Sequence, residues 1–459
     1  MYFLTTRGLT LSLSTVKHSV IRFYSKEVSK CHYDVIVAGG GMVGTTLTCN
    51  LGKKTQLSDK KILLLEGSKE FKWTLTDKYS NRVVALTPST QKLLDSIGAW
   101  NHIARGRYAT VKKMQVWDAC SDAMITFEHD NLVEPVAYIV ENDLLLSSVT
   151  EIVKEIPNVT VVNEAKIKDY KLANELDSTA EVFMENGDSY TCNLLLGADG
   201  ANSKVRKTMG VQYLNWDYKQ MGIVATLNLS ETSDNVVAWQ RFLPTGPIAI
   251  LPLNEKQSSL IWSTTSAHCK DLLRMSEERF VDELNTALWK VYPRDTVIDS
   301  ITKGFNNFLE NLNFASNAVR QLPPGVAGIE SNSRAAFPLG FGHSTNYVAK
   351  GVALIGDSAH RVHPLAGQGV NLGFGDVSCL SDLLAEAVYS GRNLGSIIHL
   401  KEYEKVRQRH NVPTMLAIDG LQKLYCTDLT PIVVLRSLGL QLTHAINPVK
   451  KMIMGHAVG

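Results

Sequence analysis

The first apolar run of the chain, Tyr33-Asp34-Val35-Ile36-Val37-Ala38, is short, β-branched and ends in glycines, which predicts a buried parallel strand. Periodic apolar positions over 45–51 predict a helix, and Lys61-Ile62-Leu63-Leu64-Leu65-Glu66 predicts a second buried strand with an acid at its carboxyl end. Strand, helix and strand within about 30 residues make a βαβ unit. Two further apolar runs, 193–199 and 351–357, close on Gly and Asp, and their separation predicts a nucleotide fold assembled from distant segments. From about residue 211 to 334 the texture alternates, as in Trp239-Gln240-Arg241-Phe242 and Leu260-Ile261-Trp262-Ser263-Thr264, which predicts half-buried antiparallel strands. Residues 311–333 read as a loop or insertion and 376–424 as helix. The expected class is α/β. A discontinuous Rossmann-like nucleotide domain covers 31–108, 137–212 and 345–400; a mainly antiparallel substrate domain is inserted over 109–136 and 213–344; a helical segment over 401–459 follows.

Composition narrows the class. With 459 residues, 47 Lys plus Arg against 45 Asp plus Glu and 44% hydrophobic content, the chain is an ordinary globular sequence of two or three domains. A net charge of +2 argues against a nucleic-acid partner, and the first 24 residues hold Arg7, Lys17 and Arg22 with no acid. That Ser/Thr-rich, acid-free segment predicts a mitochondrial transit peptide over 1–24, cleaved after Tyr24. The seven cysteines are scattered and form no CxxC pair, which fits a reducing compartment and excludes a disulfide framework or structural zinc. No apolar stretch is long enough for a membrane-spanning helix. Residues 431–454, with Leu435, Leu438, Leu440, Leu442 and then Lys450 and Lys451, are apolar enough to rest on a membrane surface or a partner; packing on the protein's own core is the other reading.

Gly39-Gly40-Gly41-Met42-Val43-Gly44 fits G-x-G-x-x-G between the first strand and the helix, the context in which that pattern carries chemistry. Gly39 permits the tight turn, Gly41 lets a pyrophosphate approach the backbone, and Gly44 allows close packing of helix on strand. The helix start offers free N–H groups and a positive dipole end to phosphates. Glu66 lies 22 residues beyond Gly44, where a carboxylate accepts hydrogen bonds from ribose hydroxyls. These features predict an adenine dinucleotide without separating NAD from FAD. His360 and His363 are spaced like a metal pair but lack a third ligand, so no metal is expected. Cys49 and Cys379 read as core residues.

Two further segments separate the cofactors by resemblance. Gly197-Ala198-Asp199-Gly200-Ala201-Asn202-Ser203-Lys204-Val205-Arg206 resembles the DG motif of flavoprotein aromatic hydroxylases. Gly356-Asp357-Ser358-Ala359-His360, followed by Pro364-Leu365-Ala366-Gly367-Gln368-Gly369-Val370-Asn371, resembles their GD motif. The resemblance implies a fold of p-hydroxybenzoate hydroxylase type with FAD as cofactor. It implies that Asp357 binds the ribityl hydroxyls, and that the loop carrying Pro364, Gly367, Gln368, Gly369, Val370 and Asn371 lays backbone N–H groups near the flavin pyrimidine edge. Arg82 is expected at the flavin or its phosphates, with Asp199, Gly200 and Arg206 supporting the motif loop. A Gly-rich loop opening a helix can stabilise negative charge on a reduced flavin. The class reacts through a flavin C4a-hydroperoxide held in a dry pocket. Since a phenol activates its own ortho carbon, no protein group is assigned as a catalytic acid or base.

Ser80-Asn81-Arg82-Val83-Val84-Ala85-Leu86, Gly98-Ala99-Trp100, Tyr138-Ile139-Val140-Glu141-Asn142-Asp143-Leu144-Leu145, Arg241-Phe242-Leu243-Pro244 and Phe337-Pro338-Leu339 are similar to the ubiquinone-biosynthesis branch of these monooxygenases. The similarity covers nearly the whole chain past Tyr33 and is strongest to the mitochondrial hydroxylases of ring carbon C5. It implies O2 and a 4-hydroxy-3-polyprenylbenzoate as substrates, with C1 hydroxylation of a 2-methoxy-6-polyprenylphenol as a further activity. It also implies electrons passed from NADPH through ferredoxin reductase and ferredoxin, assembly with other enzymes of the pathway, and peripheral binding to the matrix side of the inner membrane. A polyprenyl substrate has to be drawn from a bilayer, which calls for an apolar access path. NADPH-reduced aromatic hydroxylation, isoprenoid epoxidation and prenyl reduction are the alternative chemistries on this fingerprint. A mere binding scaffold would show eroded flavin loops, whereas Gly39, Gly41, Gly44, Asp357, Gly367 and Gly369 are all present.

Overall fold

The computed structural model describes residues 31–129, 133–175, 178–292, 296–311 and 321–458; the expected leader over 1–24 lies outside them. Its first sheet has eight strands, whose main path runs Val348–Ala349, Val352–Leu354, Ser189–Gly197, Cys31–Ala38, Ile62–Leu65 and Val159–Val162. From Val352–Leu354 onward these strands are parallel. Val35, Ile36 and Val37 are almost completely buried, as parallel strands covered on both faces must be. The helices Met42–Lys53, Asn142–Lys154 and Gln368–Tyr389 pack together against this core.

Register brings the motifs together. Ala38 lies opposite Gly197 and Leu65, and Gly197 lies opposite Leu354. The segments that begin at Gly39, Ala198 and Ile355 therefore leave one edge of the sheet side by side, although more than 300 residues separate the first from the last. Crevices at the carboxyl ends of parallel strands are where such sheets bind ligands.

A second, nine-stranded sheet runs His360–Arg361, Ala335–Ser344, Tyr213–Leu229, Gln257–Thr265, Gly246–Pro252, Val237–Leu243, Lys113–Asp118 and Met124–Glu128, with Val326–Ile329 beside Tyr213–Leu229. It is mainly antiparallel, as the alternating texture predicts. A third sheet, unannounced in the sequence, joins Val83–Leu86, Ala137–Glu141 and Ala109–Val111. Also unexpected are the helices Ser266–Arg274, Glu277–Trp289 and Thr296–Asn311 inside the alternating region, and a break between Gln368–Tyr389 and Ile397–Tyr425 within the expected single helix.

The C-terminal helix Thr430–Ala445 packs its inner face on the protein. Arg436, 2% exposed, donates from Nε and Nη2 to the two carboxylate oxygens of Asp118 at 2.7 and 2.9 Å, and from Nη1 to the carbonyls of Leu424, Tyr425 and Thr427. The outer face keeps Leu435 and Leu442 exposed, and Met452 and Ile453 follow in the next helix. No helix of the described residues is long and apolar enough to cross a membrane. Core packing and an outward apolar face thus coexist. Arg436→Met is expected to lower unfolding stability by about 3 to 5 kcal/mol, because Asp118 stays buried without its cation; denaturant unfolding that matches the parent protein would contradict this.

Candidate active site

The loops that leave the first sheet and one face of the second line a cavity of about 440 Å³. Gly41–Gly44, Arg82, Ala198, Gly200, Asp357, Pro364, Gly367, Gly369 and Val370 line one end, and strands of the second sheet line the other. Most of the residues expected at a cofactor are thus brought to one wall.

The three fingerprint glycines differ in what they tolerate. Gly39 has φ +111°, and a Cβ there would strike the Ala198 carbonyl. A Cβ on Gly44 would fall on the carbonyl oxygen of Gly39. Gly41 has nothing within 4 Å of a Cβ and precedes the helix Met42–Lys53 without a side-chain cap. Its open flank and the uncapped N–H groups leave room and donors for a phosphate. Glu66 does not line the cavity; its carboxylate accepts from the Gly40 N–H at 2.6 Å and from the Ser68 N–H at 2.8 Å, so it holds the glycine loop from behind.

Arg82 donates no hydrogen bond among the described residues; its guanidinium lies 5.4 Å from the Phe337 ring centroid. Its carbonyl accepts from the Asn142 N–H at 3.0 Å, which sets Asn142 beside it. The Asn142 side-chain oxygen is buried, has no partner and borders the cavity. Sequence reasoning quoted this residue within a motif but gave it no role. Asp357 opens into the cavity and accepts no hydrogen bond among the described residues. Surrounding protein pushes its carboxyl above the ordinary range, while His360, Arg361 and Arg82 pull it back. An acceptor open to the cavity and facing two cations, an orphaned amide oxygen and an open glycine cradle fit a group rich in hydroxyls and phosphates, as FAD is.

The remaining motif residues build the frame. Asp199 accepts from the Lys204 and Val205 N–H groups at 2.7 and 3.1 Å and so caps the helix Lys204–Met209, fixing the loop that carries Gly200. Arg206 donates to the carbonyls of Ser358 at 2.7 Å and Ala201 at 2.6 Å, stitching the DG segment to the GD segment. Gln368 and Asn371, expected at the cofactor through their backbone N–H groups, also border a neighbouring cavity. Asn371 accepts from the Thr87 N–H and the Thr90 hydroxyl and donates to the carbonyls of Ala85 and Gly367. These bonds occupy the Asn371 side chain within the protein and leave its backbone for a cofactor.

Sequence reasoning missed the anchor of the GD loop. Asp376, fully buried, accepts from the Gly356 N–H at 3.0 Å and from Arg407 Nε at 2.7 Å, and pairs with His360 Nε2 at 2.6 Å. Burial opposes its ionisation, but His360 and Arg407 outweigh burial and hold the carboxyl well below the usual range. A lone acid in the apolar stretch Leu372-Gly373-Phe374-Gly375-Asp376-Val377 was the available signal. Among the described residues no His, Cys, Asp and Glu cluster could hold a metal ion.

His363 fixes the next turn. Its Nδ1 accepts the Leu365 N–H at 3.1 Å, so its proton sits on Nε2, which is buried without a partner. Burial, only partly offset by Asp419, pushes the imidazole down from 6.5 to about 4. The unfolded chain therefore binds a proton between about pH 6.5 and 4 that the folded chain refuses, and stability present above pH 6.5 is lost as pH falls through that window. At pH 5 the loss is about 2 kcal/mol. His363→Asn is expected to flatten the fall of the thermal midpoint between pH 7 and pH 5; an unchanged slope would contradict the assignment.

Fold and site define an FAD-dependent monooxygenase of the p-hydroxybenzoate hydroxylase type. Comparison with known proteins agrees, since residues 32–304 and 325–415 match the family model of an FAD binding domain. A p-nitrophenol 4-monooxygenase, PnpA from Pseudomonas putida DLL-E4, shares the fold at a TM-score of 0.66 and 16% identity, over 94% of this chain and 99% of that one. PqsL, a probable FAD-dependent monooxygenase from Pseudomonas aeruginosa, does so at 0.66 and 19%, over 89% and 99%. The mitochondrial ubiquinone biosynthesis monooxygenase COQ6 of Drosophila melanogaster is 49% identical over 438 residues, 95% of this chain and 91% of the relative. That of Homo sapiens is 48% identical over 432 residues, 93% of this chain and 92% of the relative. The chain belongs to the COQ6 family of ubiquinone biosynthesis monooxygenases.

Proposed function

We propose that the protein hydroxylates ring carbon C5 of a 4-hydroxy-3-polyprenylbenzoate in ubiquinone biosynthesis, with C1 hydroxylation of a 2-methoxy-6-polyprenylphenol as a second activity. The observation that carries this reading is one cavity lined both by the three converging motifs and by a largely apolar set of residues from the second sheet. When bound and reduced, FAD supplies the activation of dioxygen. The chain does the rest. Gly41 and the helix start receive the pyrophosphate, and Asp357 and Asn142 accept from the ribityl hydroxyls. Arg82 neutralises phosphate charge, and Glu66 and Asp376 keep the loops in place. Backbone N–H groups at Gly367, Gly369 and Val370 face the pyrimidine edge, while Val224, Ile261, Leu251 and Phe337 keep water from the ring.

We infer a mitochondrial location from the leader composition and from the names of the relatives. The exposed face of Leu435, Leu442, Met452 and Ile453, beside Lys450 and Lys451, supports peripheral contact with the inner membrane or with other enzymes of the pathway. Electrons come from NADPH through ferredoxin reductase and ferredoxin in this reading. Anaerobic flavin absorbance tests the route: bleaching is expected only when both relay proteins accompany NADPH. Rapid bleaching by NADPH alone would point to the self-sufficient aromatic hydroxylases instead.

A further inference from the structure

The apolar end of the cavity is one face of the nine-stranded sheet, and its cross-strand registers place the residues in rows. Val224 lies opposite Ile261, Ile261 opposite Ala249, and Ala249 opposite Gln240. The next row on the same face holds Ser263 opposite Gly222, with Phe337 beyond it. Paired residues and residues two apart along a strand share a face, so Gln240 and Ser263 look onto one apolar floor. Strands about 4.8 Å apart put two strand spacings and one row between them, room for a single aromatic ring reached from both sides. Ala249 on the strand between them keeps the floor low, and Gly222 does so beyond Ser263, where a Cβ would meet Phe337 at 3.0 Å.

Neither Gln240 nor Ser263 makes a side-chain hydrogen bond among the described residues, although Ser263 is only 2% exposed. An amide and a hydroxyl that line the cavity without a protein partner are free to pair with a ligand's oxygen. The charged groups on the cavity wall, Arg82, Arg361 and Asp357, act on one another, and the Arg82 guanidinium meets the sheet floor at its Phe337 edge. Beside Ile261 and Ala249 the floor instead offers a ring oxygen the neutral groups of Gln240 and Ser263.

We propose that Gln240 determines specificity: its amide hydrogen-bonds the phenol oxygen of the aromatic substrate, and Ser263 makes the second, weaker contact. An amide both accepts from a phenol hydroxyl and donates to a phenolate, so it serves the ring before and after the proton leaves. A site that pairs a hydroxyl rejects the analogue lacking it, because its own polar group is then left unpaired. This inference rests on the ring-hydroxylase reading above, and binding separates the two.

Calorimetric titration of the FAD-loaded, oxidised protein would use 2-farnesylphenol and farnesylbenzene, which lacks the ring oxygen, as probes. The parent protein is expected to prefer the phenol at least about 10-fold. Gln240→Leu should abolish that preference while leaving flavin content unchanged and farnesylbenzene no more weakly bound, and Ser263→Ala should reduce it only in part. Full preference in Gln240→Leu would overturn the role of Gln240 while sparing the ring-hydroxylase reading, and loss of preference in Ser263→Ala alone would do the same. Failure of the parent protein to bind either probe would overturn both.

Discussion

Gly41→Val should yield a folded protein that cannot keep its flavin. The residue has φ −70° and ψ −178°, extended backbone that valine adopts freely, and no atom stands within 4 Å of the new Cβ. The side chain would instead occupy the space a pyrophosphate needs against the helix start. FAD affinity is expected to fall at least about 100-fold, equivalent to about 2.8 kcal/mol, with the unfolding midpoint of the flavin-free protein unchanged. Valine at Gly39 or Gly44 should act differently, since each would drive a Cβ into backbone and damage the fold itself. Equal FAD affinity in Gly41→Val and parent, measured by flavin fluorescence titration, would remove the cradle from the account.

The second large effect concerns Asp376. In Asp376→Ala the Arg407 guanidinium, 7% exposed, loses its carboxylate, and the Gly356 N–H loses its acceptor. Removing one member of a buried ion pair costs about 3 to 5 kcal/mol. The unfolding midpoint should drop by several degrees, and flavin content should drop with it, because Gly356 carries Asp357 into the cavity. Asp376→Asn keeps an acceptor for Gly356 and should retain more flavin than the alanine variant at similar loss of stability. Identical flavin retention in both variants would separate the ion pair from the loop it is argued to hold.

The legible parts of the molecule were those written in local pattern. Tyr33–Ala38 and Lys61–Glu66 announced parallel strands through unbroken apolar runs, and the glycine spacing after the first announced a phosphate cradle. Long-range pairing was not legible. The small sheet joins Val83–Leu86 to Ala137–Glu141 and Ala109–Val111, and nothing near Val83 names those partners. The helices between Ser266 and Asn311 were readable but overlooked: Phe280, Leu284 and Leu288 recur at helical spacing, and Ser276 before Glu277 and Glu278 is a helix start, with its side chain accepting from the Arg279 N–H. Motif position placed Asn371 on its loop but could not name the partners of its side chain, Thr87, Thr90 and Ala85, which lie nearly 300 residues away. The roles of Asp376 and Asn142 required three dimensions, since Asp376 meets Gly356 and His360 only after the helix folds back over the sheet.

The most direct measurement of the central claim is the fate of molecular oxygen. The holoprotein would be given a synthetic 4-hydroxy-3-polyprenylbenzoate, NADPH, ferredoxin reductase, ferredoxin and oxygen labelled with the heavy isotope. The account predicts a catechol carrying one labelled oxygen on the ring next to the original hydroxyl, with the prenyl tail unchanged. Label in the tail, added hydrogen in the tail, or consumption of oxygen with the ring untouched would contradict it.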